Sequence, residues 1–122
     1  MDLPSTFVDG TQVIFSSGNT IDFQSRILKI LQLEQVIVII PLRQPPQLDG
    51  NNVFAFTQQG DFLWRIEAAN FISDTLPECQ FVDAKVSTQV GRSDQLLLYN
   101  WCERMLRVNP FTGEVLKIVP TR

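Results

Sequence analysis

The sequence contains no histidine. Its absence removes the commonest general base, the Ser-His and Cys-His dyads, and every zinc shell that uses imidazole. Cysteine is nearly as scarce. Cys79 and Cys102 are the only two; neither belongs to a Cys-x-x-Cys pair, and two thiolates alone cannot fill a zinc shell. Basic residues are also few. Ten Lys and Arg stand against 13 Asp and Glu, a net charge of −3, which supplies neither a basic stripe for nucleic acid nor a polybasic patch for anionic lipid. The longest apolar run, Val36 to Ile40 (VIVII), is far too short to cross a bilayer as a helix. The opening residues, MDLPSTFVDG, have no basic n-region and no apolar h-region of a signal peptide. The expected compartment is the cytoplasm, with both thiols reduced; a Cys79–Cys102 disulfide would require export.

Helical periodicity is missing as well. No segment sustains apolar residues at i, i+3, i+4 and i+7 over a dozen positions, and the best helical candidate, Ala68 to Ser73, amounts to one or two turns. What is present is a β composition. Val, Ile, Phe and Thr are frequent, while Ala, Lys and Glu are sparse. Hydrophobic residues make up 44% and charged residues 19% of 122 positions, which predicts a single globular domain over residues 1–122 with no need of a metal or disulfide staple.

Strand signals recur at regular spacing with turn residues between them. Gln12 to Ser16 and Thr20 to Phe23 flank Ser17-Gly18-Asn19, an N-terminal hairpin. Four strands follow at residues 26–33, 35–42, 53–57 and 62–67, and four more at 81–87, 95–100, 103–108 and 114–119. The two quartets read as a repeat, with units at about 26–67 and 81–119. Phe54, Phe56 and Gly60 of the first match Leu106, Val108 and Gly113 of the second. Gly60 and Gly113 sit where a short hairpin turn needs a positive φ, and Pro110 presets a dihedral of the second turn. Arg43 to Asn52 and Asn70 to Glu78 carry no apolar pattern and read as loops. The predicted fold is all-β: two antiparallel four-stranded meander sheets packed together, an N-terminal hairpin, and little or no helix.

The faces sharpen this. Alternation places Phe62, Trp64 and Ile66 on one side of their strand and Leu63, Arg65 and Glu67 on the other. Val36 to Ile40 has no polar residue on either side, so that strand must be covered on both faces. The first unit also carries Ala55, Gly60 and Trp64 in the spacing A-x-x-x-x-G-x-x-x-W. That pattern resembles the β-propeller blades of quinoproteins. The second unit keeps Gly113 but has Arg107 at the alanine position and Lys117 at the tryptophan position. The resemblance covers about half of the chain and implies a blade-like scaffold; it imports no quinone, and two such blades cannot close a ring alone.

Catalytic candidates are thin. Without histidine, Cys79, Cys102 or a serine would lack a base, and Cys102 reads as structural. Asp22, Asp61, Glu67, Asp83 and Glu103 fall on separate strands or turns, as solvated acids do. No glycine-rich loop is followed by a lysine and a helix, and QLDGNN lacks the alternating acids of a calcium loop. No catalytic, cofactor-binding or metal residue is assigned. The expected activity is non-enzymatic protein binding or scaffolding by a small β protein of bacterial type, with Arg43, Trp64, Arg65 and Trp101 as the candidate interaction surface. The alternative assignment of those residues is core for the tryptophans and solvent for the arginines. The expected partner is a protein rather than nucleic acid or membrane, and an open sheet edge or apolar face admits a homo-oligomer. The alternative function is a small-ligand carrier or small enzyme with a pocket between the sheets.

Overall fold

The computed structural model describes residues 6–42, 51–67, 80–88 and 94–120. Every element among them is a strand, and every strand pairing is antiparallel. The first sheet contains β1 (Phe7–Asp9), β2 (Gln12–Ile14) and β3 (Thr20–Asp22). The second is a meander of β4 (Ile27–Leu33), β5 (Val36–Pro41), β6 (Phe54–Thr57) and β7 (Phe62–Arg65). The third repeats it with β8 (Phe81–Ser87), β9 (Gln95–Asn100), β10 (Arg104–Val108) and β11 (Val115–Pro120). Both predicted quartets are present. The N-terminal hairpin proves to be a three-stranded sheet. Its extra strand, β1, is exposed at all three positions, so it leaves no buried face for a sequence pattern to reveal. The helical candidate at 68–73 lies outside the described residues.

The sheets stack in chain order. Between the second and third lie Val36, Val38, Ile40, Ala55, Trp64, Ile66, Phe81, Ala84, Leu96, Leu98, Leu106 and Val108, all buried in one cluster. On the opposite face of the second sheet, Ile37, Ile39 and Phe56 meet Val13 and Phe15 of the first. Strand β5 is therefore buried on both sides, which its unbroken apolar run requires. Each such side chain contributes roughly 1.5–3 kcal/mol on burial. The first sheet supplies the cover that the sequence demanded but did not identify.

The second and third sheets share irregularities as well as strands. In β4 and β8 a register shift leaves Leu28 and Val82 without a partner in the ladder. In β7 and β11 another leaves Leu63 and Leu116 without one. Leu63 and Leu116 are separated by the same offset as Gly60 and Gly113. A bulge re-aims the strand beyond it, and here it turns both leucines to solvent.

Two polar devices join the sheets. Asn52 is fully buried; its Nδ2 donates to the Pro41 and Phe81 carbonyls at 3.1 and 2.9 Å, and its Oδ1 accepts the Phe81 N–H at 2.8 Å. One side chain thus ties β5 to β8 and meets its own hydrogen-bonding demand inside the core. Lys29 on β4 forms an ion pair with Asp83 on β8 at 3.5 Å; both are well exposed, so it adds little.

Cys102 is disulfide-bonded, contrary to the expectation of reduced thiols. The Trp101 N–H donates to the Gln80 carbonyl at 3.2 Å, which brings the entry to β8 against the turn that carries Cys102. Sequence spacing could not show that closeness. The other cysteine, Cys79, lies outside the described residues.

Candidate functional site

A cleft runs between β7 and the β10–β11 turn, and the local sequence of both elements explains it. The register pairs Phe56 with Phe62 and Ala55 with Trp64, with Leu63 as the extra residue. Trp64 consequently points at the third sheet and is 6% exposed, while Phe62 is 61% exposed. The opposing turn is built by its own polar groups. Asn109 Oδ1 accepts the Phe111 and Thr112 N–H groups at 2.8 and 3.3 Å, and the Gly113 N–H donates to the Asn109 carbonyl at 2.8 Å. This arrangement turns the Pro110 carbonyl toward β7, where it accepts the Trp64 indole Nε1–H at 2.8 Å. The indole ring lies directly against Gly113.

The cleft left beside that contact has a volume of ≈ 460 Å³ and is lined by Phe62, Trp64, Arg65, Glu67, Thr112, Gly113 and Glu114. Its charged groups are held differently. The Arg65 guanidinium lies 4.8 Å over the Phe54 ring, and its Nε donates to the Asn51 carbonyl at 2.6 Å. It is therefore a fixed cation on an aromatic base. Glu67 and Glu114 are exposed carboxylates. An aromatic side chain, a fixed guanidinium, two acids and the Thr112 hydroxyl thus line one surface.

Of the sequence candidates, Trp64 and Arg65 are brought together here on β7. Trp64 belongs to the core and also lines the cleft. Trp101 is 54% exposed on the β9–β10 turn, at the opposite end of β10 from Gly113, and does not join them. Arg43 lies outside the described residues. Phe62, Thr112 and Glu114 were not singled out by sequence reasoning. Alternation assigned Phe62 to the face of Trp64, and only the bulge at Leu63 makes it an exposed aromatic. Among the described residues, no group of three His, Cys, Asp or Glu side chains is placed to hold a metal ion.

Residues 5–119 match one family, described as a domain of unknown function (DUF7957). No curated protein and no solved structure matches the chain.

Proposed function

We propose that this chain, which belongs to the DUF7957 family, is a non-enzymatic protein-binding module that captures a partner segment in the cleft along β7. The observation that carries the reading is the exposed Phe62 beside the fixed Arg65 guanidinium in a cleft of ≈ 460 Å³. Exposed aromatics and arginines dominate the energetics of protein recognition. A rigid β-scaffold holds them without an ordering cost at the moment of binding. The resemblance of the two quartets to quinoprotein-type propeller blades supports the scaffold part of this reading. A small-ligand carrier is the weaker alternative. The space between the second and third sheets is filled by buried side chains, so a carried molecule would have to use the same open cleft.

A photo-crosslinking residue placed at position 62 tests the proposal. Expressed in the native cell, it should trap one protein, whereas the same residue at Val82, exposed on β8, should not. Arg65→Glu in the position-62 background should abolish the product. Equal labelling from both positions, or a small molecule retained on purification and lost with Phe62→Ala, would overturn the proposal.

A further inference from the structure

The two outer faces of the three-sheet stack complement one another, and we infer that a second copy of this chain docks its first sheet onto the third sheet of the copy before it. The inference rests on different surfaces from the β7 cleft and goes beyond that reading.

The register fixes which residues face outward. In the first sheet, Val8, Val13 and Ile21 share a row, and Val13 and Ile21 belong to the cluster against the second sheet. The rows Phe7–Ile14–Thr20 and Asp9–Gln12–Asp22 therefore face away. In the third sheet, Ala84, Leu98, Leu106 and Ile118 face inward, so Lys85, Leu97, Arg107 and Lys117 form one outward row. Asp83, Tyr99, Met105 and Val119 form the next. None of these outward residues belongs to either core cluster.

One outer face thus presents two carboxylates, Asp9 and Asp22, around apolar Phe7 and Ile14. The other presents three cations, Lys85, Arg107 and Lys117, around Leu97, Tyr99, Met105 and Val119. Its one acid, Asp83, is already paired with Lys29. Arg107 is half-buried and its Nε is buried, so a carboxylate of another copy would meet the rest of its guanidinium. Complementary faces of this kind set orientation and exclude the reverse pairing.

Twice within the chain a ring of one sheet rests on the turn glycine of the next. Phe15 of the first sheet lies against Gly60, the turn glycine of the second, and Trp64 of the second lies against Gly113, the turn glycine of the third. Gly18 occupies the same place in the first sheet. Its N–H donates to the Phe15 carbonyl as that of Gly60 donates to Thr57, and both have positive φ. Yet nothing lies within 4 Å of where a Cβ at Gly18 would stand. The third sheet of a preceding copy completes the series, with Lys117, at the position matching Trp64, over the open turn. Such a contact is heterologous, joining two different faces, so it grows until it closes a ring or continues as a filament.

Sedimentation of the full chain over a concentration series tests this. The mass should rise with concentration, and added salt should reduce it. Arg107→Glu disables one face and Asp9→Lys the other; each variant alone should be weakened on the order of 10-fold or more. Mixed in equal amounts, they should associate again, because Arg107 still meets Asp9 across one contact and the introduced glutamate meets the introduced lysine across the other. An unchanged thermal melt confirms that both are folded. A wild type that stays monomeric throughout, or a dimer that both variants form as well as the wild type, would overturn the inference.

Discussion

The Trp64 ring occupies the space that a side chain at Gly113 would need: a Cβ there would stand 2.7 Å from Trp64 Cδ2. Gly113 also has φ +78°, a conformation costly for a residue with a Cβ. Gly113→Ala combines strain with a clash against a buried indole and should cost about 2–4 kcal/mol. Gly10→Ala, with φ +65° but nothing within 4 Å, should cost only the backbone part, about 1–2 kcal/mol. Urea melts of the two variants give the comparison, and equal midpoints would refute the packing argument.

The two tryptophans should separate spectroscopically. Trp64 is 6% exposed and Trp101 54%. In Trp101→Phe, the remaining emission should be resistant to acrylamide and blue of the wild type; Trp64→Phe should leave a red, quenchable signal. Trp64→Phe also strands the Pro110 carbonyl, a loss of about 1–3 kcal/mol for an unmet buried acceptor.

Asn52→Leu keeps the approximate size of the side chain and removes all three of its hydrogen bonds. The Phe81 N–H is left without its partner between two sheets, and stability should fall by about 2–4 kcal/mol. Hydrogen exchange should show the Phe81 amide losing protection before those at the centre of β9.

Asp22 should titrate below the ordinary carboxylate range. Its Oδ1 accepts the Thr11 hydroxyl and the Gln24 N–H, both at 2.8 Å, and these bonds favour the ionised form. A carboxyl whose folded pKa is depressed adds stability above its unfolded value and loses it as pH falls through the folded one. The effect therefore belongs to the acid limb of the stability curve. Thr11→Val removes the largest cause, so the Asp22 carboxyl resonance should shift at higher pH in an NMR titration.

Cys102, being disulfide-bonded, should resist maleimide until a reductant is added. Reduction should lower stability by roughly 2–4 kcal/mol. Labelling of Cys102 in the folded, unreduced protein would contradict the bond.

The sequence made some of this legible and hid the rest for identifiable reasons. Val36 to Ile40 announced two-sided burial because neither alternating face offered a polar residue, and that demanded a cover on each side. Gly60 and Gly113 marked their turns because positive φ restricts residue choice. The identity of the second cover was not legible, since Val13 and Phe15 belong to a segment too short to show a pattern. Nor was the cleft. It depends on which turn lies beside β7, and on a bulge that moves Phe62 off the face that alternation assigned to it. The inward role of Trp64 could be read from alternation, but its hydrogen bond to Pro110 joins residues 46 apart, and no local spacing encodes that.

Strand β5 carries one more implication. Its VIVII core has no charge, no glycine and strong β-propensity, the composition of a segment that self-assembles when bare. In the finished molecule both faces are sealed, but one seal is the third sheet, which begins only at Phe81. During synthesis, the ribosome delivers the most adhesive segment well before the residues that cover it. The interval between the two is when the nascent chain is most exposed to aggregation and most in need of a chaperone.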